Sequence, residues 1–97
     1  MEVQIYSHDK NGLVPSGYIT ADRFNPELFW NMCNWSSRGK EKPEQLYSDI
    51  DTCNHGVCFE NPENGELWMA LSFGWMHGDR NLIETYIKNH ADKQVWV

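Results

Sequence analysis

Residues 1–20 set the start of the fold and read MEVQIYSHDKNGLVPSGYIT. Val3 and Ile5 alternate with more polar neighbours, which is the pattern of a strand with one buried face. The polar run at 7–12 ends this strand, and residues 18–20 form a returning strand after a Pro-Ser-Gly break. The sequence therefore predicts that the chain begins with two paired strands.

The clearest helix start in the chain is Asn25-Pro26-Glu27. Asn25 is a good N-cap, and Pro26 suits the first helical position because its missing N–H costs nothing there. Glu27 meets the positive end of the helix dipole. We expect this helix to stop near Ser36-Ser37, because a glycine follows shortly afterwards. Helical spacing predicts a buried stripe of Leu28, Met32 and Trp35, with Phe29 and Cys33 beside it.

The middle of the chain predicts a second helix and a hairpin. Pro43 can open a short helix. The apolar face of that helix would carry Leu46, Tyr47 and Ile50. The hairpin strands are residues 57–60 and 66–71, joined by a loop whose closing Asn-Gly favours a chain reversal. Residues 66–73 also contain good helix formers, so a helical alternative stays open there.

A further helix and a final strand complete the predicted elements. Gly78-Asp79 is typical of a helix cap. The buried stripe after this cap is expected to be Leu82, Ile83, Tyr86 and Ile87. Residues 94–97 are long enough for a last strand.

These elements predict an α+β fold in a single domain that spans residues 1–97. The predicted order is β-β-α-α-β-β-α-β, with an antiparallel sheet of about four to five strands and two to three helices packed on one face. We expect a Trp-rich core, because the chain holds five Trp, four Tyr and four Phe. A chain of this length can bury one modest core but not two, and we expect a monomer.

Composition predicts a cytoplasmic protein without membrane contact. No apolar run approaches the ~18 residues that a membrane-spanning helix needs. The first residues lack the basic and apolar regions of a signal peptide. The cysteines are Cys33, Cys53 and Cys58, an odd set that we expect to be reduced thiols.

Cys53, His55 and Cys58 fall within six residues and are possible zinc ligands. Structural zinc sites usually show two pairs of ligands, and the second pair is missing here. A fourth ligand would have to come from Cys33, His77 or further away. We therefore expect ordinary thiols, with no bound metal and no cofactor.

The chain contains two pairs of His and Asp that are close in sequence: His77 with Asp79, and His8 with Asp9. Either pair could serve general acid–base chemistry. Neither comes with a nucleophile signature, a phosphate-binding glycine loop or a metal motif, so we do not expect an enzyme. Direct nucleic-acid binding is not expected either, because the net charge is −6. The basic cluster is limited to Arg38, Lys40 and Lys42.

Between Pro43 and Asp79 the chain holds seven acidic residues and neither Lys nor Arg. The remaining residues hold seven acids and eight bases, so the net negative charge is local. Such a window attracts basic partners, although its plainer explanation is a solvated face that keeps the protein soluble. As a contact surface it is expected to use Glu44, Asp49, Asp51, Glu60, Glu63, Glu66 and Asp79.

The spacing of these acids suits a nucleic-acid mimic. Asp49 and Asp51 lie two residues apart, and in extended chain two residues span at most about 7 Å. Successive phosphates of an extended strand are also ~7 Å apart. Carboxylates at that separation can occupy the Lys and Arg positions that normally hold a nucleic-acid backbone. Any other basic protein surface stays open as the partner.

A short, acidic α+β chain without a catalytic signature resembles the small phage-encoded inhibitors of bacterial defence. Within that group it is most similar to the DNA-mimicking anti-CRISPR proteins that act on type I-F surveillance complexes. The first 22 residues are also similar to the opening of ArdA-type antirestriction proteins. The shared features are Ile5-Tyr6, Asn11-Gly12 and Gly17-Tyr18-Ile19, while Thr20 stands where that family tends to place an acid.

The resemblance implies an inhibitor in the cytoplasm of a bacterial host. Its partner would be the basic protein surface of a crRNA-guided nucleoprotein complex, where it would block the binding of target DNA. The alternative is a small adaptor module that binds a partner protein through surface aromatics. The candidate anchors for that alternative are Trp35, Trp68 and Trp75.

Overall fold

A computed structural model describes residues 1–90. Within these residues it shows six strands and two helices, which confirms the α+β class. In chain order they are β1 (Glu2–Asp9), β2 (Gly12–Thr20), α1 (Pro26–Cys33), β3 (Leu46–Tyr47), β4 (Cys58–Glu60), β5 (Leu67–Leu71), β6 (Gly74–Gly78) and α2 (Arg80–His90).

The strands form one antiparallel sheet in the order β3-β2-β1-β4-β5-β6. The predicted opening pair is confirmed as β1 and β2, whose register places Val3 opposite Ile19. The predicted strand ends are wrong, because β1 continues to Asp9 and β2 begins at Gly12 and runs through the Pro-Ser-Gly segment. The sheet has six strands rather than the four to five expected from the sequence. The additional strands are β3 and β6, which form its two edges.

The predicted second helix after Pro43 is wrong, because this segment makes only one turn and then forms β3. The turn is closed by the Leu46 N–H, which donates to the Pro43 carbonyl at 3.1 Å. Leu46 then pairs with Ile19, and Tyr47 stacks on Tyr18 with ring centroids 4.7 Å apart. Pairing with the free edge of β2 therefore outweighs the weak helical pattern.

The predicted hairpin is confirmed as β4 and β5, and the strand alternative is correct for residues 67–71. Gly65 takes a φ of 73° in the connecting loop, the left-handed conformation that the Asn-Gly pair favours. β5 is paired on both sides, with β4 and with β6. Two sets of inter-strand hydrogen bonds thus override the helix propensity of its Leu, Met and Ala residues.

Helix α1 begins as predicted, with the Asn25 side chain accepting from the Leu28 N–H at 3.2 Å. It ends earlier than expected, at Cys33, and turns continue through residues 34–39. The predicted buried stripe is wrong in part: Phe29 and Cys33 are the buried residues, and Leu28 is 50% exposed. The spacing of the apolar residues is compatible with burial of either stripe. Packing against the sheet buries the stripe that contains Phe29.

Helix α2 is capped by Asp79, whose Oδ1 accepts from the Leu82 N–H at 2.8 Å, as the sequence predicted. Ile83 and Ile87 are buried, Tyr86 is half-buried and Leu82 is exposed. The final strand predicted at 94–97 lies outside the described residues. Neither helix within residues 1–90 is long and apolar enough to cross a membrane.

The two helices lie on opposite faces of the sheet, not on one face as predicted. Because successive residues of a strand point to opposite faces, each face builds its own buried cluster. The cluster under α1 contains Val3, Ile5, Ile19, Phe29, Cys33, Leu46, Cys53, Val57, Phe59 and Ala70. The cluster under α2 contains Cys58, Leu67, Met69, Ile83 and Ile87.

The core is not rich in Trp, contrary to expectation. Trp30, Trp35 and Trp75 pack against the cluster under α1 but are only half-buried. An indole is large and carries an N–H that needs an acceptor, so it is readily placed at the edge of a core. Trp35 follows this rule, since its Nε1–H donates to the Ile50 carbonyl at 3.1 Å.

Candidate functional site

Several of the predicted contact acids meet at one end of the sheet. The register aligns Glu60 with Leu67 and Leu67 with Gly78, so β4 ends, β5 begins and β6 ends at the same level. Glu60, Glu66 and Asp79 are therefore neighbours at this end, although they span twenty positions of sequence. Glu63 lies in the loop between them.

The other three strands bring further acids to the same end. Glu2 pairs with Thr20, and the Thr20 N–H donates to the Gln45 carbonyl at 3.0 Å. Glu44 therefore lies at this end beside the edge strand β3. Asp22 and Glu2 line a shallow hollow of about 570 Å³ here. We name the set the acidic rim: Glu2, Asp22, Glu44, Glu60, Glu63, Glu66 and Asp79.

The rim extends across the whole sheet. Glu44 lies beside β3 and Asp79 follows β6, the two edge strands. Five strand spacings of about 4.8 Å separate the edges, which gives ~24 Å. Glu2 and Asp22 lie outside the base-free window, and reasoning from that window missed them. The strand pairing that joins Glu2 to Thr20 was the signal that could have found them.

Ion pairing of the rim carboxylates within residues 1–90 is limited to Glu66. The ion pairs within residues 1–90 are Glu66 with His77 at 3.0 Å and Glu84 with Arg80 at 3.1 Å. Arg80 begins α2 beside the rim, but its guanidinium is held by Glu84 and lies over the Tyr6 ring. The hydrogen bond from Glu84 raises the pKa of Arg80. The Arg80 guanidinium is thus already paired with an acid outside the rim.

The loop between β4 and β5 holds its acids in a fixed turn. The Asn61 side chain accepts from the Glu63 N–H at 3.0 Å, and Asn64 accepts from the Glu66 N–H at 2.9 Å. These two Asx turns shape the backbone locally, so Glu63 stands exposed at the tip. The loop is already ordered in the free protein, so little further conformational entropy is lost there when a partner binds.

Asp49 and Asp51 do not belong to the rim. They follow β3 in the other direction along the sheet, where the Ser48 hydroxyl donates to the Ser16 carbonyl and accepts from the Ile50 N–H. The chain is bent here, so the extended spacing assumed for the two carboxylates does not apply. The seven predicted contact acids therefore occupy two separate surfaces.

The candidate aromatic anchors are all half-buried rather than free. Trp68 stacks on His77 with ring centroids 4.2 Å apart, and Trp75 packs on Phe59. Within residues 1–90 the most exposed aromatic is instead Phe73, which is 79% accessible at the β5–β6 turn, and Tyr47 is 50% accessible. A hollow of about 310 Å³ lies beside this turn and is lined by Glu27, Trp30, His55, Ala70, Leu71, Gly74 and Trp75.

Neither candidate His–Asp pair forms a dyad. His77 contacts Glu66 through Nδ1, while the carboxylate of Asp79 caps α2. At the other end of the chain, His8 Nδ1 lies 3.1 Å from the Gly56 carbonyl, and Asp9 accepts from the Asn11 N–H at 2.7 Å.

The three candidate zinc ligands are divided between the two faces of the sheet. Cys53 belongs to the cluster under α1, and Cys58 belongs to the cluster under α2. His55 is stacked on Trp30 with ring centroids 5.5 Å apart. The sheet therefore separates the two thiols, and residues 1–90 contain no group of three His, Cys, Asp or Glu side chains that could hold a metal ion.

No protein-family model, curated protein or solved structure matches this chain.

Proposed function

We propose that this protein is an acidic, nucleic-acid-mimicking inhibitor that binds the DNA-receiving surface of a bacterial defence complex. The observation that carries the proposal is the acidic rim, in which seven carboxylates from all parts of the chain meet at one end of the sheet. The resemblance to type I-F anti-CRISPR proteins supplies the candidate partner, the type I-F surveillance complex in the host cytoplasm.

The dimensions of the rim suit a mimic of duplex DNA. A length of ~24 Å corresponds to about seven base pairs at 3.4 Å each. Neighbouring strand ends set carboxylates at steps of roughly 5 or 10 Å, a range that brackets the ~7 Å between phosphates of one strand. Lys and Arg side chains are long enough to adjust to the remaining difference.

The charge of the rim speeds association with a basic partner in addition to forming contacts with it. A one-sign surface steers a basic partner during diffusion, and this effect weakens as salt rises because charges are screened over ~8 Å at physiological ionic strength. Binding to the complex should therefore weaken with salt and compete with duplex DNA. The protein itself should bind no DNA, because like charges repel.

The test compares two double variants with the same change in charge. Glu44→Lys/Glu63→Lys reverses two exposed rim acids, and Asp49→Lys/Asp51→Lys reverses two exposed acids outside the rim. Competition with fluorescent duplex DNA for purified type I-F complex is measured over a salt series. We expect the rim variant to lose at least tenfold in affinity and the control variant to change less than threefold.

The two variants also separate specific mimicry from bulk charge. Equal losses in both variants would mean that net charge alone drives binding, and no competition by the native protein would exclude this partner. A pull-down from a bacterial lysate then asks whether another nucleoprotein complex is captured and released by salt.

The second candidate function is an adaptor module that binds a partner through aromatics. The observation that favours it is Phe73, exposed beside the hollow that Trp30 and Trp75 line. An exposed aromatic next to a hollow that is lined in part by indole rings is a common kind of interface anchor. Phe73→Ala should abolish partner capture if this function is correct, and should leave the DNA competition of the rim unchanged if it is not.

A further inference from the structure

Two buried cysteines meet where α1 ends. Cys33 is the last residue of α1, and Cys53 lies in the connection between β3 and β4. Both belong to the buried cluster under α1, and Asn34, the residue after Cys33, is hydrogen-bonded to Cys53. Both are free thiols in this structure. Sequence reasoning treated Cys53 with Cys58 and missed this pair.

Asn34 fixes the position of Cys53. The Asn34 Nδ2 group donates to the Cys53 sulfur at 3.1 Å, and the Asn34 Oδ1 accepts from the Cys53 N–H at 3.0 Å. Asn34 is the buried polar residue of the described part of the chain. A buried amide that donates to a sulfur stabilises the thiolate form, since a thiolate is the stronger acceptor.

The two thiols are unequal because Cys53 accepts a hydrogen bond from the Asn34 amide at 3.1 Å, while Cys33 is fully buried. The hydrogen bond to Cys53, together with burial, raises the pKa of Cys33, while the bonds from Cys33 and Asn34 lower the pKa of Cys53. Cys58 shows the opposite environment, in which burial alone raises the pKa of the thiol to about 12. Cys53 is therefore the nucleophilic sulfur of the three, since the thiolate is the reactive form.

Cys53 is also the thiol that a small molecule can reach. It is 8% exposed, whereas Cys33 and Cys58 are fully buried. It lines a cavity of about 330 Å³ together with Ser7, His8, Ile50, Thr52, Asn54, His55 and Val57. A water molecule takes about 30 Å³ of liquid volume, so the cavity admits a molecule as small as hydrogen peroxide.

We propose that Cys53 is a site of oxidation by hydroperoxides, with Cys33 as the resolving thiol. The Cys53 thiolate attacks one peroxide oxygen, the O–O bond breaks, and the departing hydroxide takes a proton to become water. The product is a sulfenic acid at Cys53. The Cys33 sulfur then attacks the Cys53 sulfur, the S–O bond breaks, and hydroxide leaves with the Cys33 proton as a second water. Two thiols and one peroxide thus give a disulfide and two waters.

The disulfide would change how α1 is held. In the reduced protein the end of α1 is joined to the connection by hydrogen bonds, which can open and close independently. A covalent link between Cys33 and Cys53 would restrict the unfolded chain and raise the thermal midpoint. It would also weaken the hydrogen bond from Asn34 to the Cys53 sulfur, because a disulfide sulfur is a weaker acceptor than a thiolate.

The test treats the reduced full chain with one to five equivalents of hydrogen peroxide at neutral pH. We expect mass spectrometry to show the loss of two hydrogens, and peptide mapping to place the bond between Cys33 and Cys53. Cys58 should stay reduced and thus serves as the internal control. In Cys33→Ser, dimedone should trap a sulfenic acid at Cys53, and in Cys53→Ser the remaining thiols should oxidise at least tenfold more slowly.

A matched variant keeps the test independent of folding defects. Cys58→Ser changes a buried thiol to the same residue, and its Cys33–Cys53 bond should form at the native rate. Oxidation of Cys58 before Cys53, dimedone labelling of Cys33 in Cys53→Ser at the native rate, or no change at a hundred equivalents of peroxide would each overturn the proposal.

Discussion

At the acidic rim the carboxylates stand at strand ends, whereas the connection at 48–57 is fastened at several points to residues 34–36, the turn that directly follows α1. Ser36 donates from its N–H to the Asp51 carbonyl, and Trp35 donates to the Ile50 carbonyl. Asn34 adds two hydrogen bonds to Cys53. The rim can therefore be changed with little cost to folding, while the connection is part of what holds α1 in place.

The comparison teaches that neighbouring charges in sequence need not share a surface. Asp49 and Asp51 precede Glu60 by only eleven and nine residues, yet they follow β3 away from the rim. Glu2 lies far from Glu60 in sequence, yet Gln4 pairs with Glu60 and brings the start of β1 to the rim. Strand pairing, rather than sequence distance, decides which acids act together.

The largest expected loss in the free energy of unfolding comes from a substitution in the buried cluster that α1 covers. Phe29→Ala should lower the free energy of unfolding by about 3–5 kcal/mol, because Phe29 is fully buried and packs edge-on against Phe24 and Phe59. Leu28→Ala, on the exposed face of the same helix, should cost less than about 1 kcal/mol. Urea unfolding of both variants measures the difference. Equal losses of stability would mean that the stripe predicted from the sequence is also buried.

Alkaline pH should lower the stability of the protein through its buried thiols and not through the acids of the rim. Burial raises the pKa of Cys58 to about 12, so above pH 9 the unfolded chain loses this proton while the folded chain keeps it. Stability contributed by the neutral thiol is complete below pH 9 and is lost as pH rises towards 12, by at most about 4 kcal/mol. Unfolding under reducing conditions should show this loss in the native chain and a smaller one in Cys58→Ala.

Asn34→Ala should cost about 2–3 kcal/mol, because it leaves the buried Cys53 N–H without its acceptor and removes a donor from the Trp30 carbonyl. Glu63→Ala is the control from the rim and should change stability by no more than about 0.5 kcal/mol. Thermal unfolding of the reduced proteins compares them. A rim variant as costly as Asn34→Ala would mean that the rim is also structural.

Much of the fold could be predicted from local patterns, and the errors have a common cause. The caps at Asn25 and Asp79 and the β4–β5 hairpin depend on neighbouring residues, and all three are confirmed. The edge strands β3 and β6 depend on partners that are distant in sequence or on a turn without a strong signal. Two-residue β3 in particular exists only because the edge of β2 is there to pair with it.

The candidate site was predictable in composition but not in shape. The base-free window identified Glu60, Glu63 and Glu66 correctly as neighbours, because they belong to one hairpin. It also grouped Asp49 and Asp51 with them, and it omitted Glu2 and Asp22. The Cys33–Cys53 pair was equally hidden, because it joins the end of a helix to a loop through tertiary packing that no short spacing records.

Asp79 has two roles that substitutions can separate. Asp79→Ala removes both the N-cap of α2 and a rim charge, and it should cost about 1 kcal/mol of stability. Asp79→Asn keeps an acceptor for the Leu82 N–H and removes only the charge, so it should cost a few tenths of a kcal/mol. Chemical denaturation gives both values. Equal losses in the two variants would show that charge, and not capping, is what Asp79 contributes.

The smallest effect is expected for Glu66→Gln, at the ion pair within the rim. The pair with His77 is half exposed, and exposed pairs contribute about 0–1 kcal/mol because solvent screens them and two side chains must be ordered. The Trp68 ring already holds His77 by stacking, so the amide should cost less than about 0.5 kcal/mol. A loss above 1 kcal/mol in low salt would show that the rim depends on internal pairing. The rim would then be less available to an external cation than its exposure suggests. Partner binding by Glu66→Gln would measure how much this carboxylate contributes, because the variant keeps the shape of the site and removes one charge.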